Sequence, residues 1–299
     1  MTQKHSTLGD RTVHRIGFGA MQLAGQGVFG PPADPENNKA VLRRALELGV
    51  NHVDTAQYYG PDVVNDLIRE ALSPYPDDLR LVTKVGGRRG DDGAWLPAQS
   101  PEELRQGVED NLRSLGVERM DLVNLRRMDD HGSSDVPLAE QLGVLEDLRR
   151  EGKLDLIGLS TVSRETLEEG LALTDIAGVQ NAYSILDRSG EDVLELCIER
   201  GLAFVPYFPL GSAFTGGPAK LAADPAVAET AAKHGITPSQ VALAWLLHRS
   251  DRVLLIPGTS SIGHLEENVA VADVALDDED LTRLETVRPA GNPLTAAAE

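Results

Sequence analysis

The sequence predicts an α/β protein of the closed (β/α)8 type, a TIM barrel folded as a single domain over residues 1–299. Three observations carry that prediction. Short apolar runs of strand type recur and alternate with segments of helical period, the signature of parallel strand and helix units. A chain of 299 residues with 41% hydrophobic and 25% charged side chains has the size and core that one such barrel needs. The stretch Gly17-Phe18-Gly19-Ala20-Met21-Gln22 lacks the third glycine that an open doubly wound sheet places after its first strand.

In chain order the expected strands are Arg15–Gly19, Val50–Asp54, Arg80–Lys84, Asp121–Leu125, Leu156–Ser160, Val179–Asn181, Ala203–Tyr207 and Val253–Ile256. Helices fill the gaps, several with explicit start signals. Asp34-Pro35-Glu36 opens one that ends at Gly49, and Thr237-Pro238-Ser239-Gln240 opens another. Ser100-Pro101-Glu102-Glu103 combines an N-cap, a first-turn proline and a capping-box glutamate; Leu104, Val108, Leu112 and Leu115 then share one face, and Gly116 stops the helix. A last helix is expected near Gly263–Ala272. In a barrel the loops after the strands line the catalytic face, so residues 20–33, 86–99, 126–137 and 211–223 are the candidate site loops. The tail, residues 289–299, is expected to fray.

Composition narrows the function classes. The formal charge is −19, from 47 acidic against 28 basic residues, which repels phosphate backbones and anionic lipid; no nucleic-acid or membrane partner is expected. Cys197 is the sole cysteine, so no intrachain disulfide forms, and its setting reads as a buried thiol. Met1–Asp10 has no apolar signal core and no apolar run reaches membrane-spanning length, so the cytoplasm is the expected location. The histidines do not fall at metal-ligand spacing, and no metal is expected.

Polar residues stand where strands end: Asp54, Lys84, Arg126 and Ser160. These positions converge at one mouth of a barrel. Tyr59 follows Asp54 by five residues. A buried lysine beside that phenol would draw it toward acidity, and an aspartate would keep the lysine charged. The other reading is a structural Asp54–Lys84 ion pair with Tyr59 as a packed ring.

Taken together, Asp54-Thr55-Ala56, Tyr59-Gly60, Val82-Thr83-Lys84, Ile157-Gly158-Leu159-Ser160, Val179-Gln180-Asn181, Ile256-Pro257-Gly258 and Asn268 resemble, in order, the motifs of the aldo-keto reductase superfamily. The resemblance runs from about Val13 to Leu284. Gly19-Ala20-Met21-Gln22-Leu23-Ala24-Gly25, Val28-Phe29-Gly30-Pro31-Pro32 and Leu255-Ile256-Pro257-Gly258-Thr259-Ser260-Ser261 look like a bacterial branch of pyridoxal reductases within it.

The resemblance implies reduction of a small-molecule carbonyl, with NADP(H) as cofactor, NAD(H) not excluded, and a monomer or small homo-oligomer. It implies Tyr59 as proton donor, Lys84 as its tuner and Asp54 as the partner of Lys84. Ser160 and Gln180 match positions that hold the nicotinamide carboxamide, and Tyr207 the ring that stacks on it. Gly19, Met21, Leu210, Gly211, Ser212, Gly258, Thr259, Ser260, His264, Glu267 and Asn268 complete the implied cofactor set. Phe29 and Trp95 are candidate substrate walls, or rings that pack the loops.

Departures from the family pattern matter too. Thr161 replaces the usual asparagine, Arg126 the usual histidine, and Gly258, Ser260 and His264 stand where many relatives carry lysine or arginine for a 2′-phosphate. Arg126 is expected to complete the catalytic set by donating to the carbonyl oxygen, or to turn away and pair with Asp129 or Asp130. His264 at a helix start is expected to assist NADPH binding or to be simply solvated. Arg88, Arg89, Arg127 and His131 are candidate contacts for an anionic substrate, or solvated loop residues. The alternative function is a cofactor-binding regulatory barrel with little turnover; a non-redox barrel enzyme is weakly supported by Gly211, Gly216 and Gly217.

Overall fold

The computed structural model describes residues 3–128, 135–211 and 216–289. Ser212, His131 and the tail beyond residue 289 lie outside the described residues.

The chain begins with an antiparallel hairpin, β1 (His5–Leu8) and β2 (Arg11–His14), in the register His5↔His14 to Leu8↔Arg11. Its two-residue turn is Gly9-Asp10, with Gly9 at φ +58°, the left-handed backbone that such turns require. Leu8 and Val13 are buried with Val82, Leu122, Ala203 and Leu254, so the hairpin plugs the barrel floor.

The barrel follows in chain order as β3 (Phe18–Gly19), β4 (His52–Asp54), β5 (Arg80–Arg89), β7 (Met120–Arg126), β8 (Leu154–Ser160), β9 (Ile176–Gln180) and β10 (Ala203–Phe204), each parallel to its neighbour. The expected eighth strand is not a continuous ladder. Parallel bridges Phe204↔Val253 and Ile16↔Leu255 close the ring, with Leu254 N–H donating to Phe204 O at 2.9 Å and Gly17 N–H to Leu255 O at 2.7 Å. All eight expected strand positions are therefore occupied by parallel backbone.

The period-2 pleat sorts the side chains. Leu81, Val85, Val123 and Leu125 face outward into a core shared with the helices, while Val82 and Leu122 belong to the inner cluster. Each fully buried aliphatic side chain of this kind contributes about 1.5–3 kcal/mol.

The outer helices begin with α1 (Pro35–Glu47), α2 (Val63–Leu72), α3 (Pro101–Leu115), α4 (Leu138–Arg150), α5 (Arg164–Leu173) and α6 (Glu191–Arg200). The expected capping box of α3 is formed by Ser100 and Glu103, and Gly116 ends the helix at φ +69°. Two of the candidate site loops carry regular structure. Within residues 86–99, β5 continues to Arg89 and pairs with β6 (Trp95–Ala98) as an antiparallel hairpin. The stretch 211–223 contains a helix, α7 (Gly217–Ala223). Beyond it lie α8 (Pro225–His234), α9 (Pro238–Arg249), α10 (Ile262–Ala270) and α11 (Asp278–Leu284). No described helix is long and apolar enough to cross a membrane.

Asp280 on α11 is fully buried and binds Lys233 Nζ at 2.8 Å and His234 Nε2 at 2.7 Å, tying α11 to the end of α8. Burial pushes this carboxyl up, but hydrogen bonds from Lys233 and His234 outweigh it and hold Asp280 well below the usual carboxylate range. A depressed folded-state value means the stabilisation is present above the unfolded value of about 3.9 and is lost as the pH falls toward the folded one. Asp280→Ala is expected to lower the unfolding free energy at pH 7 by about 2–4 kcal/mol. Urea melts at pH 7 and near pH 3 check this: the difference between wild type and variant should shrink in acid, and a pH-independent difference would contradict it.

Candidate active site

The inner face of the barrel turns from apolar to polar toward the C-terminal ends of the strands. In β7, Leu122, Asn124 and Arg126 share that face, as do Val82 and Lys84 in β5 and His52 and Asp54 in β4. The lower residues seal the interior and the upper ones meet at the mouth.

There Lys84 Nζ hydrogen-bonds Asp54 Oδ1 and donates to Thr55 O at 3.0 Å. Gln180 Nε2 donates to the second carboxylate oxygen of Asp54 at 2.9 Å. The Lys84 ammonium lies 5.2 Å from the centroid of the Tyr59 ring. Asp54, Tyr59 and Lys84 are 3%, 4% and 2% exposed, so this charge pair and phenol sit in a low-dielectric pocket.

A buried polar network that sequence reading missed fixes them. Thr55 Oγ1 donates to Asn65 Oδ1 at 2.7 Å, and Asn65 Nδ2 donates to Asn111 Oδ1 at 3.1 Å and Ser114 Oγ at 2.9 Å. Thr83 Oγ1 also donates to Asn111. Residues flanking Asp54 and Lys84 are thus anchored to α2 and α3. Tyr59 is further held by ring contacts with Tyr58 at 5.5 Å and Trp95 at 6.5 Å.

Burial pushes the Tyr59 hydroxyl well up from its ordinary value; the Asp54 carboxylate adds to this and Arg126 opposes it. The expected pull of Lys84 toward phenolate does not prevail, because burial penalises the phenolate and Asp54 is bonded to the lysine. Tyr59 therefore holds its proton at neutral pH. Tyr58 is pushed up to about 12, again by burial, against Arg126. His52, deeper in the barrel, is pushed down to about 4 by burial and is neutral.

Arg126 ends β7 half-buried. Burial works against its charge, the neighbouring Tyr58, Tyr207 and Tyr59 work for it, and the net direction is upward. Its Cζ lies 5.7 Å from the Tyr207 ring centroid. Among the described residues it has no carboxylate within ion-pair distance, and its buried Nε has no hydrogen-bond partner.

A cleft of about 230 Å³ gathers these groups. Of the expected residues it is lined by Gly19, Met21, Asp54, Tyr59, Lys84, Arg126, Gln180, Tyr207, Leu210, Gly211 and Gly258. It also brings in Gln22, Phe208, Pro209, Pro218, Ile256 and Pro257, which sequence reading missed although most adjoin residues it named. Ser160 is fully buried and does not line the cleft; its Oγ lies 3.5 Å from Thr161 Oγ1. Thr161 has φ +60°, a left-handed conformation unfavourable for a β-branched residue.

Thr259 is buried, while Ser260, His264 and Glu267 are exposed and Asn268 is buried around α10. Phe29 and Trp95 do not line the cleft. They sandwich Arg89, whose Cζ is 5.3 Å from the Phe29 centroid and 4.1 Å from that of Trp95. Arg89 also donates to Val28 O at 2.7 Å, Gly27 O at 3.0 Å and Gly93 O. It buckles the β5–β6 hairpin to the first loop. Arg88 is exposed and Arg127 buried.

A strand-end lysine and aspartate thus stand beside a protonated tyrosine on the wall of a barrel-mouth cleft. A profile of the aldo/keto reductase family covers residues 15–289. The chain belongs to the aldo/keto reductase family. It is 48% identical over 289 residues to pyridoxine 4-dehydrogenase of Escherichia coli (strain K12), spanning 96% of this chain and 99% of that one. An oxidoreductase of Schizosaccharomyces pombe is 39% identical over 93% of this chain and 88% of its own. Among solved structures, an aldo-keto reductase from Klebsiella pneumoniae in complex with NADPH superposes with a TM-score of 0.80 at 27% identity, covering 97% of this chain and 96% of that one.

The aldo/keto reductase chemistry is that of an NAD(P)H-dependent carbonyl oxidoreductase. The site fits a nicotinamide dinucleotide. A Cβ on Gly19 would lie 2.4 Å from Ile256 O, and one on Gly258 2.4 Å from Gly19 O, so these glycines let the first and eighth loops close into one cleft wall. That wall leads from Tyr207 and Gln180 toward α10, whose N-terminus is capped by Ser261 and suits phosphate.

Proposed function

We propose that this aldo/keto reductase reduces aromatic aldehydes with NADPH, with pyridoxal to pyridoxine among its reactions, and that Tyr59 supplies the proton. The substrate reading rests on the relative named pyridoxine 4-dehydrogenase. The mechanistic reading rests above all on the buried Asp54–Lys84 pair beneath the Tyr59 ring. We further propose a cytoplasmic monomer or small homo-oligomer without nucleic-acid or membrane partners, in keeping with its charge of −19.

The nicotinamide, when bound, supplies the hydride. The residues of the chain do the rest. Tyr207 and Gln180 wall the nicotinamide end of the cleft, with Gly19, Met21, Leu210 and Gly211 along it. Tyr59, held protonated by burial, delivers its proton as the carbonyl oxygen gains negative charge. Lys84 stabilises the phenolate that this leaves, and Asp54 with Gln180 keeps Lys84 oriented. Arg126 donates to the same oxygen.

His264 and the α10 N-terminus are proposed to favour NADPH over NADH by a narrower margin than a lysine or arginine clamp would. His264→Ala is then expected to weaken NADPH binding by about 2- to 5-fold and to leave NADH binding unchanged. Fluorescence titrations of both cofactors with the wild type and the variant check this, and equal changes for the two cofactors remove His264 from the account. The experiment for the reading as a whole assays pyridoxal, other aromatic aldehydes and simple ketones with NADPH and with NADH. Turnover of aromatic aldehydes including pyridoxal is expected; failure on pyridoxal alone withdraws that substrate, and failure on all of them contradicts the proposal.

A further inference from the structure

Arg126 poses a question that the reduction of a simple aldehyde does not answer. A guanidinium presents five N–H donors in a planar fork and is charged at every working pH. One carbonyl oxygen does not use that fork. Here the cation is half-buried on the cleft wall, its Nε is without a partner, and no described carboxylate reaches it. The nearest carboxylate in the cleft, Asp54, is already taken by Lys84 on one oxygen and Gln180 on the other. Asp129 and Asp130, which follow it closely in sequence, lie outside the described residues. Among the described residues the guanidinium has no counter-ion, and a ligand group with a second oxygen and negative charge would complement it.

The position of that second oxygen follows from the proton donor. If the reacting carbonyl oxygen lies within reach of both Tyr59 and Arg126, the fork's other edge meets an oxygen on the neighbouring carbon. Apart from the residues assigned to the nicotinamide end, the cleft lining is mostly apolar, with Phe208, Pro209 and Pro218 among its walls. Such walls suit a planar ring.

We infer that Arg126 selects aromatic aldehydes bearing a hydroxyl on the ring carbon adjacent to the aldehyde, binding the carbonyl oxygen and the ionised hydroxyl with one guanidinium. This rests on the proposed aldehyde reduction and names its substrate class; pyridoxal, with its ring hydroxyl beside the aldehyde, is one member. The ring hydroxyl gives up its proton to solvent on binding. The carbonyl carbon accepts hydride as the cofactor is oxidised, and Tyr59 protonates the oxygen, so the product is the alcohol with the same ring hydroxyl.

The test compares salicylaldehyde, 4-hydroxybenzaldehyde and benzaldehyde under saturating NADPH, in wild type, Arg126→His and Arg126→Lys. Wild type is expected to favour salicylaldehyde by about 10- to 100-fold in kcat/KM, the range of a charge-assisted hydrogen bond. Arg126→His should slow all three and bring the ratio to within about 3-fold of unity, and Arg126→Lys should keep part of it. Comparing ratios between enzymes cancels the intrinsic effect of an ortho hydroxyl on aldehyde reactivity. A second readout needs no turnover. With NADP+ present, difference spectra of bound salicylaldehyde should show phenolate at a pH where the free aldehyde is a phenol, and Arg126→His should lose that signal.

Equal efficiency on the ortho and para isomers overturns the inference, as does an ortho preference unchanged in Arg126→His or a bound phenol spectrum in wild type. Reduction of benzaldehyde without an ortho preference refutes this inference alone. No reduction of any of the three refutes the reading beneath it.

Discussion

Tyr59→Phe is expected to lower kcat by about 10²-fold or more while leaving the fold and cofactor affinity nearly unchanged. The hydroxyl makes no hydrogen bond among the described residues, and the ring keeps its contacts with Tyr58 and Trp95. Removing the oxygen therefore costs little stability. What it removes is the proton that burial keeps on Tyr59 until the carbonyl oxygen becomes basic. The measurement is kcat on one aldehyde together with an NADPH titration by fluorescence. A variant with near-normal turnover ends the assignment of Tyr59. A large loss of cofactor binding would make Tyr59 a cofactor contact instead.

Lys84→Met is expected to be comparably damaging to turnover, and to differ in a telling way by also destabilising the protein. The lysine and Asp54 form a buried pair, and removing one member leaves the other charge uncompensated apart from Gln180. Such a break costs about 3–5 kcal/mol. Replacing Asp54 by asparagine in the same chain removes the stranded charge, so Asp54→Asn/Lys84→Met should recover much of the stability and none of the activity. Urea unfolding and kcat on the single and double variants separate the two effects. Recovery of activity in the double variant would show that the pair serves the fold alone.

The parts of this protein legible in its sequence are those with local causes. Ser100, Glu103 and Gly116 announce α3 because capping is satisfied within one turn. The strand-end positions of Asp54, Lys84, Arg126 and Ser160 follow from the alternation of apolar runs with helices, which brings the polar residues closing those strands to one mouth. Gln22 and Pro209 were missed although they adjoin named residues, because sequence shows which loop is near a site but not which of its residues turn inward.

The remainder depends on contacts between distant segments. Gly86-Gly87-Arg88-Arg89-Gly90 has no strand-like alternation, and a lone two-stranded hairpin is marginal. It forms here because Arg89 reaches across to Val28 and Gly27 and stacks on Trp95 and Phe29. The same dependence explains why sequence left Phe29 and Trp95 open between substrate walls and loop packing: their contacts with Arg89 cross between loops. The eighth strand is visible as an apolar run, but its hydrogen bonds are set by Phe204 and Arg15 far earlier in the chain. Burial holds the Tyr59 proton more tightly than charge pairing in the sequence suggests, because burial is a property of the folded barrel.

The central claim is hydride transfer from a nicotinamide to an aldehyde carbon at the mouth of this barrel. Its most direct test incubates the purified protein with pyridoxal and NADPH carrying deuterium at the transferable position, followed by mass analysis of the alcohol. The account predicts one deuterium on the carbinol carbon of each product molecule. Alcohol formed without the label, or NADPH bound with no alcohol formed from pyridoxal or any other aromatic aldehyde, would contradict it.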